Sequence, residues 1–353
     1  MSSVSLLIVD DSATLRAVVK SVVRQDPSIR VVGEAADAME ARRLIKELDP
    51  DVITLDIEMP GMNGLDFLDK IMTLRPMPVI MLSSSTAEGS DSAVTALSNG
   101  AFHCLQKPSS GNIIEALSDL PGLVRAAAAS SIAARKPRTS GSAASGQAAS
   151  AHLFKRNALI AIGSSTGGVD ALCELLADFP ANCPPVVIAQ HMPAAFIQSF
   201  ADRLDRTIAP DVKVAREGET LQPGQIRFAP GGDLDMALSP RTAHRIRLVT
   251  RSPDRAHCPS VDVLLSSVAA AIGKRAVGTI LTGMGRDGAA GLLEMRESGA
   301  RTFGQDRASS TVYGMPKVAF ELGAVGEQLP LSDLADAMLD ACSRLASPPQ
   351  AAP

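Results

Sequence analysis

The sequence predicts an α/β protein with two doubly wound parallel-sheet domains joined by a flexible linker. On both sides of residues 125–150, apolar runs of strand length alternate with amphipathic segments of helix length, which is typical of parallel sheets covered by helices. Residues 125–150 themselves consist mostly of Ala, Ser and Gly, as flexible linkers do. A chain of 353 residues is long enough for two cores. We place the domains at residues 1–123 and 153–348, with the linker at 124–152.

In the first domain, five strands alternate with helices. The predicted strands are 4–9, 30–35, 52–55, 79–82 and 102–105. The predicted helices are 13–25, 38–48, 64–74, 90–99 and a last one near 112–120. The resulting order predicts a parallel sheet whose strands end at one common edge, where ligands bind in such folds.

The second domain repeats this architecture without a visible sequence repeat. The predicted strands are 159–162, 185–190, 212–215, 225–229, 245–249, 277–281 and 301–303. The predicted helices are 169–179, 194–206, 260–272, 288–297 and 331–345.

Composition excludes several classes of function. The net charge of −4 gives no general attraction for nucleic acid or membranes. No stretch is apolar enough for a membrane span, and the N-terminus is too short of apolar residues for a signal peptide. Five cysteines without a CxxC pair favour reduced thiols and argue against structural zinc. We therefore expect a cytoplasmic protein that does not insert into membranes.

An acidic cluster is predicted at the strand ends of the first domain. Asp10 and Asp11 follow the first strand and Asp56 follows the third, so three carboxylates should meet at one sheet edge. Oxygen ligands of this kind favour Mg²⁺. Asp56 is then a candidate phosphoryl acceptor, and Ser83 and Lys107, at the ends of strands four and five, could bind phosphoryl oxygens. The alternative is that the aspartates only cap helices.

This constellation resembles the receiver domains of two-component systems, which have a flavodoxin-like fold. The resemblance rests on Val9-Asp10-Asp11-Ser12, Asp56-Ile57-Glu58-Met59-Pro60-Gly61-Met62-Asn63-Gly64 and Lys107-Pro108. It implies that a histidine kinase phosphorylates Asp56, with Mg²⁺ held by Asp10, Asp11, Asp56 and the Glu58 backbone carbonyl. The chain departs from the pattern at Cys104, where receivers often have an aromatic switch residue.

A serine at a strand-to-helix turn is the candidate nucleophile of the second domain. Ser165 lies in a GxSxG pattern after an apolar strand, a context that presents a hydroxyl but could equally cradle a phosphate. His191 ends another strand and is the candidate base, with His257 as its competitor. Asp287 lies after a third strand, where it could orient the histidine, or simply cap a helix. The backbone N–H of Met284 could belong to an oxyanion hole.

The second domain resembles the protein-glutamate methylesterases of chemotaxis, the CheB family. The resemblance rests on Ala161-Ile162-Gly163-Ser164-Ser165-Thr166-Gly167-Gly168, Gln190-His191-Met192-Pro193, Pro259-Ser260-Val261-Asp262 and Leu281-Thr282-Gly283-Met284-Gly285-Arg286-Asp287-Gly288. It implies a Rossmann-like catalytic domain with Ser165 as nucleophile, His191 as base and Asp287 as orienting acid. The family often has Ala where Ser164 stands.

The resemblance also implies the reaction and its control. The enzyme would hydrolyse glutamate methyl esters, and deamidate glutamines, on the cytoplasmic helices of methyl-accepting chemoreceptors. No cofactor is expected in the catalytic domain, and phosphorylation of the receiver is expected to release its restraint on catalysis.

Two other classes of function stay open at this point. The second domain could be a non-catalytic, phospho-switched binding module, although His191 and Asp287 would then be unexplained. A DNA-binding output domain has only the five arginines of residues 241–255 in its favour, and no helix-turn-helix pattern accompanies them.

Overall fold

Two compact units make up the chain. The structure is a computed structural model that describes residues 3–84, 86–107, 113–130, 158–242 and 244–345. The units span Met1–Ser140 and Gly141–Pro353. Within the described residues, no helix is both long and apolar enough to cross a membrane.

The first unit contains a parallel sheet covered by helices. Its strands are β1 (Val4–Val9), β2 (Ile29–Ala35), β3 (Val52–Asp56), β4 (Val79–Ser83) and β5 (His103–Gln106). Its helices are α1 (Ala13–Val23), α2 (Ala38–Leu48), α3 (Gly64–Leu74), α4 (Ala87–Ser98), α5 (Ile113–Ala116) and α6 (Leu120–Ala129). The strand order β2-β1-β3-β4-β5 is that of a doubly wound sheet, as predicted.

Side chains just before the helices determine where several of them begin. Ser12, Asp37, Asn63 and Thr86 each accept a hydrogen bond from a backbone N–H of the first turn. The Thr86 cap explains why α4 begins at Ala87, three residues before its predicted start at residue 90. The apolar periodicity is weak in this first turn, so the helix start is determined by the capping hydrogen bond and not by the hydrophobic pattern.

The end of this unit differs from the expected single helix at 112–120. That segment contains the short α5 and the start of α6, and α6 continues to Ala129 because it buries Leu120, Leu123, Val124 and Ala127. Residues 124–129 of the predicted linker are therefore helical. From residue 131 to residue 152, the predicted linker lies outside the described residues.

The second unit is built on a seven-stranded parallel sheet with the order β14-β13-β12-β6-β7-β9-β8. Its strands are β6 (Leu159–Ser164), β7 (Val186–Gln190), β8 (Asp211–Val214), β9 (Gln225–Phe228), β12 (Ala276–Ile280), β13 (Arg301–Gln305) and β14 (Glu327–Leu329). Two further strands, β10 (Leu234–Leu238) and β11 (Ile246–Thr250), form a separate antiparallel pair. Its helices are α7 (Gly168–Ala177), α8 (Ala194–Asp205), α9 (Val261–Ile272), α10 (Ala289–Glu297), α11 (Met315–Glu321) and α12 (Leu331–Arg344).

Three elements of this unit were not predicted: β10, α11 and β14. Each is short, so its pattern is weaker than that of a long periodic segment. The segment predicted at 245–249 is a strand, but it pairs with β10 outside the parallel sheet. The hairpin packs through Met236, Leu238 and Ile246 into the core that α9 and the main sheet share.

The central strands β12, β6 and β7 are neighbours, and this adjacency builds the site. β6 pairs with β7 as far as Ser164 and Gln190, and with β12 as far as Gly163 and Ile280. All run parallel, so the residues that follow them emerge at one edge of the sheet.

Candidate functional sites

The predicted phosphoryl-acceptor cluster is assembled at the edge of the first sheet. Carboxylate oxygens of Asp10, Asp11 and Asp56 lie within 4.8 Å of one another. Lys107 Nζ lies 2.7 Å from Asp56 Oδ1 and 3.2 Å from Asp10 Oδ2. The structure therefore brings together three carboxylates and one ammonium, an arrangement that no single helix cap requires.

Burial controls the protonation of Asp56. Desolvation raises the pKa of Asp56 to about 6, although Lys107 lowers it and Asp10 raises it further. The pKa of Lys107 is also raised: burial opposes its charge, but hydrogen bonding and attraction to Asp56 outweigh that effect.

The cluster fits a divalent cation. Asp10 Oδ2 is buried, and apart from its ion pair with Lys107 it has no hydrogen-bond partner in the described part of the chain, as expected of an oxygen that can bind a metal ion. The carbonyl oxygen of Glu58 likewise accepts no hydrogen bond from the described residues. Together with Asp11 and Asp56 these groups form an all-oxygen donor set, which suits Mg²⁺.

Ser83 lies at the end of β4 with its hydroxyl engaged elsewhere. Ser83 Oγ donates a 2.6 Å hydrogen bond to the Gly89 carbonyl in α4. The hydroxyl thus ties the strand end to the first turns of α4, and binding a phosphoryl oxygen would require it to exchange partners.

Cys104, at the usual aromatic position, is buried in β5.

Ser165 directly follows β6 in the second unit. Its N–H donates to the Thr282 carbonyl at 3.0 Å, and its carbonyl accepts from Gly168 N–H at 2.8 Å. The turn places Gly167 at φ +79°, a conformation in which glycine has no Cβ penalty. The side chain of Ser165 packs on Gly283, where an added Cβ would come within 2.7 Å of Ser165 Cβ. The serine is thereby held against the loop that follows β12.

His191 and Asp287 form the predicted pair. His191 Nε2 lies 2.8 Å from Asp287 Oδ2, and the His191 ring is nearly buried. Since a carboxylate only accepts, this contact assigns the proton to Nε2 and leaves Nδ1 as an acceptor. Nδ1 is buried and has no hydrogen-bond partner among the residues that the structure describes.

The N-terminus of α9 binds the side chain of Asp287. The Asp287 carboxylate accepts hydrogen bonds from the N–H groups of Val261 at 2.7 Å and Asp262 at 3.0 Å, and from Ser260 Oγ at 3.2 Å. Burial opposes ionisation of Asp287, but the His191 and backbone hydrogen bonds prevail and lower its pKa below the ordinary value. Asp287 therefore stays ionised opposite His191, and it does so by capping a neighbouring helix, not the helix that follows it.

His257 is close to His191 but does not take its place. The two rings stack with centroids 4.4 Å apart and an interplanar angle of 23°. His257 is exposed and covers a face of the His191 ring. Asp287 bonds to His191, so the geometry favours His191 as the base and gives His257 a place at the rim of the site.

The backbone N–H groups of Thr166 and Met284 are candidates for binding an oxyanion. Neither Met284, which was predicted, nor Thr166, which was not, donates a hydrogen bond to any part of the chain that the structure describes. Gly283 N–H is excluded because it donates to the Val312 carbonyl at 3.0 Å. Thr166 could have been found from the sequence, since the residue after the nucleophile commonly supplies such a donor in strand–serine–helix turns.

Gln190 is a second residue to which the sequence assigned no role. Its side chain contacts Ser164, Ser165 and His191 by hydrogen bonds. Its position directly before His191 was the only sequence feature that pointed to a role near the site. Polar residues at strand ends often only satisfy nearby backbone groups, so this position alone does not predict a functional role.

The chain is similar to known proteins over nearly its whole length. Residues 6–118 match the family model of the response regulator receiver domain, and residues 160–338 match that of CheB methylesterase. A relative from Agrobacterium fabrum, named protein-glutamate methylesterase/protein-glutamine glutaminase, is 53% identical over 335 residues, or 95% of each chain. One of the same name, numbered 1, from Caulobacter vibrioides is 50% identical over 97% of this chain and 99% of its own.

A solved structure agrees with these matches. The CheB methylesterase catalytic domain of Thermotoga maritima has 33% sequence identity and a TM-score of 0.50, and the similarity covers 52% of this chain and 98% of that one. The predicted fold class, two parallel-sheet α/β domains, is confirmed. This chain belongs to the CheB methylesterase family, as a response regulator with a receiver domain and a methylesterase domain.

Proposed function

We propose that this chain removes methyl esters from glutamate side chains of chemoreceptors, deamidates receptor glutamines, and is activated by phosphorylation of its receiver domain. The substrate class comes from the names of its relatives. The observation that carries the chemistry is the His191–Asp287 pair with its unpartnered Nδ1, at the end of the strand that pairs with the one before Ser165.

In the proposed reaction, His191 Nδ1 takes the hydroxyl proton of Ser165 while Oγ bonds to the ester carbonyl carbon. The negative charge on the carbonyl oxygen is stabilised by the N–H groups of Thr166 and Met284. The intermediate collapses with loss of methanol, which receives the proton from His191. Water then gives a proton to His191 Nδ1 while its oxygen bonds to the acyl carbon. The acyl–Oγ bond breaks and His191 returns the proton to Ser165 Oγ, which leaves glutamate and free Ser165. With an amide substrate, ammonia leaves in place of methanol.

Asp287 supports these proton transfers without taking part in them. Its carboxylate stabilises the imidazolium that forms on His191 and keeps the ring in the tautomer with a free Nδ1. Four hydrogen bonds hold the carboxylate in this orientation.

In the receiver domain, we propose that Asp56 accepts a phosphoryl group from a chemotaxis-type histidine kinase. Asp10, Asp11, Asp56 and the Glu58 carbonyl would hold Mg²⁺, which neutralises charge on the phosphoryl oxygens when bound. Lys107 lies near enough to Asp56 to pair with the phosphoryl group, and Ser83 would bind it after leaving Gly89.

Methanol release from methylated receptor membranes tests the proposed function. We expect release by the wild type, stimulation by a small-molecule phosphodonor, and loss of at least 10³-fold in Ser165→Ala, in line with removal of a catalytic nucleophile. Ser164→Ala is the matched control and should retain activity, because Ser164 Oγ is fully buried and donates to Gln190. Failure of the phosphorylated wild type on every receptor tested would instead favour a non-catalytic binding module.

A further inference from the structure

A single buried side chain joins the two strands that carry the nucleophile and the base. Gln190 is the last residue of β7 and is 2% exposed. Its Oε1 accepts from Ser164 Oγ at 2.6 Å. Its Nε2 donates both to the Ser165 carbonyl at 2.9 Å and to the His191 carbonyl at 3.0 Å. All the hydrogens of the amide are thus used on the backbone of the two residues proposed for catalysis.

The surroundings determine which way the amide faces. The two carbonyl groups can only accept, so they require the NH₂ group, whereas the Ser164 hydroxyl can donate to the oxygen. Gly168 lies against that oxygen, and a Cβ there would come within 2.1 Å of Oε1. The amide therefore has one orientation that satisfies every partner.

The Gln190 amide connects the two segments just beyond the point where the backbone pairing of β6 and β7 ends. The last register pair of β6 and β7 is Ser164 with Gln190, and one further backbone bond joins His191 N–H to the Ser164 carbonyl at 3.0 Å. Beyond this hydrogen bond, the two segments turn away from the sheet at Ser165 and at His191. The Gln190 amide binds both carbonyls at this point and so limits how far the two residues can separate.

We propose that Gln190 is a positioning residue: its amide holds the backbones of Ser165 and His191 at a fixed separation. The proposal rests on the proposed function for the roles of those two residues. Within the described residues neither Ser165 Oγ nor His191 Nδ1 makes a hydrogen bond. Their approach therefore depends on how the backbone places them, and a misplacement of ~1 Å can cost about 100-fold in rate.

The first test compares Gln190→Met with the wild type in the full-length, phosphorylated chain. Methionine has a similar length but cannot donate to the two carbonyls. We expect kcat for methanol release to fall about 100-fold with KM changed less than threefold, because ground-state binding does not need the alignment. Ser164→Ala removes only the bond to Oε1 and should lower kcat less than fivefold. Gln198→Met changes an exposed glutamine of α8 and serves as the control for the substitution itself.

A pH profile separates positioning from a merely structural role. In Gln190→Glu, a protonated acid can still accept from Ser164 and donate to one carbonyl, whereas the ionised acid would face two carbonyl oxygens. We expect this variant to keep partial activity at low pH and to lose it as the pH rises, giving a descending limb that the wild type and Gln190→Met lack. A purely structural role predicts reduced unfolding midpoints but no new limb.

A second readout keeps this proposal independent of the substrate. A fluorophosphonate probe reacts with Ser165 only when the serine is activated, and its labelling rate should fall in Gln190→Met as kcat does. If the wild type is labelled but releases no methanol from any receptor, the proposed function fails and the labelling rates still decide the role of Gln190. Wild-type kcat and labelling in Gln190→Met, with its unfolding midpoint unchanged or lowered, would overturn the proposal.

Discussion

At the scale of single residues, the pKa values of two aspartates shift in opposite directions: Asp56 is buried at the end of β3, and Asp287 is partly buried in the loop between β12 and α10. Burial dominates at Asp56, whose pKa rises to about 6, even with Lys107 at 2.7 Å. Burial also opposes the charge of Asp287, but His191 and the N-terminus of α9 outweigh it and lower the pKa. The difference fits the proposed roles, since Asp287 must stay charged opposite an imidazolium, and Asp56 is to react as a nucleophile.

The raised pKa of Asp56 predicts a pH dependence of phosphorylation. Between the unfolded value of 3.8 and about 6, the folded protein binds the extra proton, so the contribution of this group to stability falls as the pH rises through that window. Only the carboxylate attacks phosphorus. We therefore expect the rate of labelling by a small phosphodonor at low Mg²⁺ to rise through pH about 6 and to level off above it.

Lys107→Met provides the matched comparison for this profile. Without the ammonium the carboxylate loses its nearest positive charge, so the midpoint should move to higher pH. Raising the Mg²⁺ concentration should move the wild-type midpoint to lower pH, because cation and proton compete for the same oxygens. A wild-type midpoint near pH 4 that neither change moves would contradict this account of Asp56.

At the scale of elements, the loop of residues 251–260 between β11 and α9 is anchored by one buried carboxylate of β10. Asp235 is fully buried and accepts from Ser260 N–H at 2.7 Å and from Arg255 at 2.9 Å. Burial raises the pKa of the Cys258 thiol to about 12, and Asp235 adds to the shift. These contacts hold the loop that carries His257 over His191.

Asp235→Asn should loosen this loop. The new NH₂ group replaces a carboxylate oxygen that accepted a hydrogen bond, so it faces a donor and cannot bond to it. The loss of charge-assisted hydrogen bonds should lower the free energy of unfolding by about 2 kcal/mol. We also expect kcat to fall several-fold as His257 leaves the face of His191. Urea unfolding and methanol release measure the two effects.

Asp233→Asn is the control for Asp235→Asn, because Asp233 is exposed on the same segment and its side chain makes no hydrogen bond to the described residues, while its backbone carbonyl accepts from Arg251 N–H. It should change neither quantity. Equal effects of the two substitutions would show that the buried anchor does not support the site.

At the scale of the whole molecule, the candidate phosphorylation site and the candidate ester-hydrolysis site lie in separate compact units. Nothing in the chemistry proposed for Ser165 requires the receiver, so the receiver's contribution is expected to be control. That expectation follows from the receiver and methylesterase matches together.

Removing the receiver should therefore raise basal activity. A chain that begins at Gly141 should release methanol several-fold faster than the unphosphorylated full-length chain, because the restraint is gone. Asp56→Asn in the full-length chain should keep the basal rate and fail to respond to a phosphodonor. A truncated enzyme no faster than the full-length chain would contradict control by restraint.

Much of the fold could be predicted because long periodic segments report which face is buried. The bounds predicted for β1, α2 and α3 agree with the structure to the residue. β10, α11 and β14 were missed because short segments are formed by their neighbours: β10 owes its conformation to pairing with β11 and packing on α9. The placement of Ser165, His191 and Asp287 near one edge was predicted from strand ends alone.

The sequence by itself determined the family, the two-domain α/β architecture and the identity of the candidate site residues, because motifs at strand ends are local and their order is written in the chain. Only the tertiary structure decided how those residues are held. The four donors to Asp287, the stacking of His257 on His191 and the Gln190 amide bridge join residues far apart in sequence. Such contacts depend on distances and directions between elements, which no local pattern encodes.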